Sequence, residues 1–97
     1  QMTYQRSLLG MPNIPQRVCC QLWSLIPAAD LNNPASVVKS PPTHMEIAIM
    51  LNLSRETVTR VFQSLQTRDI VRRDGSTRLL ILDLQTLKAF AEGSKEL

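Results

Sequence analysis

Between Thr43 and Leu65 the chain places two helix starts on either side of one tight joint, and this pattern limits most of what the rest can become. Thr43 and Glu46 stand at capping-box spacing, so a helix is expected to begin there. Ile47, Met50 and Leu51 are its expected buried face, and Ala48 is small where a second helix would cross closely. Asn52 follows, a residue type that tolerates the left-handed backbone of a sharp turn. Leu53 can plug the joint. Ser54 is then a good N-cap for a second helix, able to accept a bond from an orphan backbone N–H.

The second helix divides into two faces. An α-helix turns through roughly 100° per residue. On that wheel Val58, Val61, Phe62 and Leu65 cluster as a packing face, while Arg55, Glu56, Thr59 and Arg60 share the other side. Arginine pairs two-pronged with guanine O6 and N7, and glutamate accepts from cytosine N4, so the polar side carries base-reading chemistry. Singly, Arg55, Glu56 and Arg60 read as ordinary solvent-facing charges on good helix formers, and Glu56 in the first turn suits the helix dipole. Together, after a capped first helix, they point to DNA. Two capped helices, a short turn and a polar outer face read as a helix-turn-helix.

The flanks extend the pattern. Ile14, Val18, Leu22, Leu25 and Ile26 follow helical spacing, with Pro15 suited to a first turn and Pro27 as the stop. Residues 28–42 read as loop, with Val37-Val38 as a possible short strand. The second helix is expected to end near Arg68 or Asp69, and Ile70 and Val71 to open a strand. Asp74-Gly75 is a hairpin signal, and Thr77 to Leu82 returns as the second strand. Asp83 can cap a last helix with Leu84, Leu87, Phe90 and Ala91 as its apolar stripe, ended by Gly93. The fold class is α+β, mainly α: a winged helix-turn-helix with a three-helix core, a β-hairpin wing and a C-terminal helix. Residues 1–13 are expected to be the remnant of an upstream helix or a tail, 14–93 the winged-helix domain and 94–97 a tail. Arg72, Arg73 and Arg78 surround the wing tip, either as solvated charges on an edge hairpin or as cations meeting phosphate.

Other function classes lose ground on chemistry. The 97 residues suffice for one small core, and a net charge of +3 permits nucleic-acid binding without establishing it. Four aromatic side chains, Tyr4, Trp23, Phe62 and Phe90, are few for a single-strand stacking platform. No apolar run approaches the ~20 residues of a membrane span, and no signal peptide is visible. Cys19 and Cys20 lack neighbouring ligands for a metal site and read as small buried residues. His44, the single histidine, has no Ser-His-Asp or Cys-His set around it, so an enzyme is not expected.

Residues 43–62, Thr-His-Met-Glu-Ile-Ala-Ile-Met-Leu-Asn-Leu-Ser-Arg-Glu-Thr-Val-Thr-Arg-Val-Phe, resemble the DNA-binding helices of the cyclic-AMP receptor protein and FNR family of bacterial transcription regulators. The likeness extends with decreasing strength from about Pro15 to Gly93. It implies sequence-specific binding of double-stranded DNA as the C-terminal domain of a cytoplasmic regulator. In the family, residues matching Arg55, Glu56 and Arg60 contact bases of a TGTGA-like half-site. FNR-type relatives keep the glutamate and the last arginine and read a TTGAT-like element. Arg55 places the chain nearer the first group, while Thr59, where the family often has Gly or Ser, leaves that preference open. The base contacts so implied are Arg55, Glu56, Thr59 and Arg60. The phosphate contacts are His44, Ser54, Thr57, Arg72, Arg73 and Arg78, though His44 reads equally as an exposed helix-start residue without a role. Ile49 is apolar where the family is often polar, which hints at a contact with another protein segment. The implied partners are DNA, RNA polymerase and a second copy of the intact protein. No cofactor is expected within these residues, and they name no effector for the intact protein. The alternative is a winged helix used for protein contacts.

Overall fold

A computed structural model of the chain describes residues 13–97. The upstream helix or tail expected over 1–13 therefore lies, apart from Asn13, outside the described residues. Helix α1 runs Ile14–Ser24. Asn13 caps it, its side chain accepting from the Gln16 backbone N–H at 2.9 Å, and Pro15 sits in the first turn. A single 3-10 turn, Ala28–Asp30, follows Pro27. Strand β1 spans Ser36–Lys39, helix α2 His44–Leu51 and helix α3 Arg55–Thr67. Strands β2 (Val71–Asp74) and β3 (Arg78–Ile81) form the hairpin, and helix α4 runs Leu84–Glu92.

The local signals act as expected. Thr43 and Glu46 form the complete capping box, and Asn52 takes the left-handed conformation at φ 58°. The Leu53 N–H then returns to the Ala48 carbonyl at 2.8 Å, closing the joint. Ser54 accepts from the Thr57 backbone N–H at 3.1 Å. Asp83 accepts from both the hydroxyl and the backbone N–H of Thr86, which together hold its carboxyl below the ordinary aspartate value. Gly93 ends α4 at φ 85°, where a Cβ would also stand 2.9 Å from Gln16 Nε2.

One core joins all layers. Val18, Cys19 and Leu22 of α1 meet Ile47 and Ala48 of α2, Val58, Phe62 and Leu65 of α3, Leu79 and Ile81 of β3, and Leu84, Leu87 and Phe90 of α4. Trp23 packs at its edge. Side chains reinforce the crossings: Gln16 Nε2 and Cys20 Sγ both donate to the Ala91 carbonyl, at 3.2 and 3.0 Å. The Arg17 guanidinium donates to the Leu51 carbonyl, placing a cation on the last turn of α2, where the helix dipole favours it.

Three expectations need correction or extension. The wing is part of a three-stranded antiparallel sheet in the order β1-β3-β2, because Val38 pairs with Leu79 and Ser36 with Ile81. Met50 is not in the core: it is 53% exposed, and Ala48 takes the buried position beside Ile47. Within 94–97, expected as a tail, Leu97 packs against the core.

Burial settles Cys19, whereas Cys20, expected to be buried as well, is only half-buried. Loss of solvent, and then the neighbouring Cys20, push the Cys19 thiol up to about 12. Thiolate chemistry is therefore suppressed at neutral pH. Folded protein at pH 8 should leave Cys19 unlabelled by iodoacetamide, whereas denatured protein should label it fully; rapid labelling in the native state would contradict this packing. Because the folded value exceeds the ordinary 9.0, the stability held by the neutral thiol is full below pH 9 and is lost between pH 9 and about 12.

Candidate nucleic-acid interface

Helix α3 buries Val58, Val61, Phe62 and Leu65 and leaves Arg55, Glu56 and Arg60 exposed. The polar face is thus held by a fully packed apolar face on the same 13-residue helix, so its side chains project from a fixed backbone. Thr57 and Thr59 are half-buried at the margins. Ser54 and Thr57 share a hydroxyl–hydroxyl bond of 2.7 Å at the helix start. Arg60 lines a shallow hollow with Ile14, Pro15, Thr57, Val61, Ser64 and Leu97.

His44, read from the residues either as a phosphate donor or as an exposed helix-start residue, is half-buried and turned toward α3. Its Nδ1 lies 2.9 Å from Thr59 Oγ1, and its ring packs on Phe62 with centroids 4.4 Å apart. Nε2 is shut off from solvent and has no partner among the described residues. Burial first, then the cations of Arg73 and Arg55, hold His44 below its ordinary value, so the neutral ring is favoured. His44 of α2 thus touches Thr59 of α3, and the charges of Arg55 on α3 and Arg73 on β2 are felt at its ring.

The wing arginines divide between two faces. Side chains alternate along a strand. Arg73 stands on the same face of β2 as buried Val71, while Arg72 and Asp74 take the other. Asp74 lies opposite Arg78 in the ladder and forms an ion pair with it, each side chain about half exposed. An exposed pair of this kind contributes roughly 0–1 kcal/mol, so DNA can compete for Arg78. Asp74 thus sits in the strand, and the loop proper is Gly75–Thr77 with Gly75 at φ 67°.

Two features go beyond the residue-level expectations, which single out Ile49 alone on the outer face of α2. The His44–Thr59 bond joins positions fifteen apart in the chain and carries no local signature. The outer face of α2 carries exposed Met45, Ile49 and Met50, with Ile49 71% exposed. Among the described residues no group of three or more His, Cys, Asp or Glu stands together as a metal site, and no helix is long and apolar enough to cross a membrane.

A capped helix pair with an exposed Arg/Glu face, flanked by an arginine-bearing hairpin, defines a winged helix-turn-helix DNA-binding domain. Residues 16–90 match the Crp-like helix-turn-helix domain, and the chain belongs to that family. This makes it a DNA-binding regulator domain and not an enzyme. The solved structure of TTHA1359, a CRP/FNR-family transcriptional regulator from Thermus thermophilus, is 29% identical with a TM-score of 0.67, over 92% of this chain and 46% of that one. The CO-dependent transcription factor CooA from Carboxydothermus hydrogenoformans, in its imidazole-bound form, is 23% identical with a TM-score of 0.68, over 93% of this chain and 41% of that one. Oxidized CprK in complex with o-chlorophenolacetic acid is 17% identical with a TM-score of 0.68, over 94% and 39%. The last two show likeness of fold alone. The chain spans less than half the length of each of these structures. No curated protein matches it.

Proposed function

We propose that α3 enters the major groove of double-stranded DNA and reads a TGTGA-like half-site. Arg55, Glu56, Thr59 and Arg60 meet base edges in this reading, and Ser54, Thr57, Arg72, Arg73 and Arg78 meet the phosphates. The observation that carries it is the exposed Arg55-Glu56-Arg60 face on a helix whose other side is fully packed. Residues 14–93 act as the reading module of a longer cytoplasmic regulator, which binds as a homodimer and works with RNA polymerase. Its effector is sensed outside these residues.

The test is binding of this chain to a TGTGA-palindrome duplex and to a scrambled duplex at two salt concentrations. Preference for the palindrome is expected, and equal binding overturns the half-site. Salt dependence checks the wing. Each lost phosphate contact lowers the slope of log K against log salt by about 0.9. Arg73→Ala is expected to show the full reduction, because the Arg73 charge is felt at His44, whose ring bonds Thr59 of the reading helix. Unchanged slopes for alanine variants at 72, 73 and 78 would place the wing away from DNA.

A second reading rests on Met45, Ile49 and Met50, whose exposure is unusual for one short helix. It makes α2 a protein-contact surface. Negligible duplex binding at low salt would favour that reading over the first.

A further inference from the structure

The His44–Thr59 bond has a direction, and the enclosed Nε2 of the half-buried ring sets it. Of the two neutral tautomers, one carries its proton on Nδ1 and donates to Thr59 Oγ1. The other carries it on Nε2, where the N–H is shut off from solvent without an acceptor among the described residues. Buried N–H groups without partners are rarer than under-satisfied acceptors. The Nδ1-protonated ring is therefore preferred. The doubly protonated ring puts the same orphan N–H at Nε2 and adds a charge facing Arg55 of α3 and Arg73 of β2. On the ring's own helix, the Glu46 carboxylate is occupied by the Thr43 backbone N–H at 2.8 Å.

The consequence falls on Thr59. Its oxygen accepts from His44, so its own hydroxyl proton is left to donate elsewhere. Among the described residues Thr59 Oγ1 has no other hydrogen-bond partner. Thr59 stands on α3 one position before Arg60, at the margin of the exposed face.

We propose that His44 is a positioning residue for base reading: it donates from Nδ1 to Thr59 Oγ1, so that Thr59 presents its hydroxyl proton outward to an acceptor on a base edge. Guanine O6 and N7, adenine N7 and thymine O4 are the acceptors that the major groove offers; the cytosine N4 amino group is a donor and is disfavoured. His44 thus influences selection without touching DNA. The base-selection half rests on the proposed reading of DNA by α3; the tautomer half does not.

The single histidine makes the first half directly visible. A long-range 15N–1H correlation spectrum of this chain at pH 7.5, without DNA, should show a neutral ring protonated at Nδ1. Thr59→Val should move it toward a mixture of the two tautomers. A ring protonated at Nε2 in the wild type overturns the donation. The second half is read from binding to half-site duplexes that vary one base at a time. Thr59→Val and His44→Phe, which keeps a ring against Phe62, should each lose roughly two- to ten-fold of discrimination at the same single position. The double variant should lose no more than either alone. Undiminished discrimination in Thr59→Val overturns outward donation even if the spectrum holds. A wild type that cannot tell the palindrome from scrambled DNA overturns the groove reading and base selection together, while the spectrum still decides the hydrogen bond.

Discussion

Phe62→Ala is expected to destabilise the domain by about 3–5 kcal/mol, the range for deleting a buried aromatic ring. Phe62 is among the largest fully buried side chains, 1% exposed, and it belongs to the core that joins every layer while supporting the His44 ring. Small domains hold only about 5–15 kcal/mol in total, so the loss removes a large share of stability. For a chain of this size each kcal/mol moves the thermal midpoint by roughly 4–8 °C. Urea unfolding followed by circular dichroism checks the value. Phe62→Leu should retain much of the lost stability, because it refills part of the cavity. A cost below about 1 kcal/mol for Phe62→Ala would mean that the neighbours collapse into the space, contrary to the close packing of α2 on α3.

The second large effect concerns DNA and leaves stability alone. Arg60 is exposed, so Arg60→Ala should fold as the wild type does. On the preferred half-site it should cost about 1–3 kcal/mol and relax selection for one guanine, the expected worth of a two-pronged arginine contact. Glu56→Ala should behave differently, mainly changing which bases are tolerated. Removing its negative charge can even strengthen binding to scrambled DNA, because the phosphates repel it. Fluorescence anisotropy on matched and scrambled duplexes separates the cases. An equal loss on both duplexes would make Arg60 a phosphate contact and remove it from the base-reading set.

Features closed within a single turn of chain are legible in the residues alone. The Thr43–Glu46 box, the Ser54 and Asp83 caps and the Gly93 stop each need only residues within three or four positions, and all stand as expected. The left-handed Asn52 belongs with them. Asn13 carries the same kind of local signal, an Asn just before Ile14-Pro15, and is the one helix cap missing from the expected set. The two-faced pattern of α3 is legible because 13 residues sample the helical period well. Helix α2 has eight residues and is apolar on nearly every side, so periodicity alone favours Met50 for the core where the fold uses Ala48.

The amino-acid sequence by itself determined where the helices begin and end, where the chain turns, and which face of α3 is polar. These depend on backbone N–H groups satisfied by near neighbours and on a repeat of 3.6 residues. Only the tertiary structure decided that β1 joins the wing, that Arg78 pairs with Asp74 while Arg73 turns toward the helices, and that His44 bonds Thr59 instead of facing outward. In β1 and at His44, residues fifteen or more positions apart are brought together by packing. Arg73 and Arg78 were placed by the strand register. Local hydrogen-bond rules and helical periods carry no record of either.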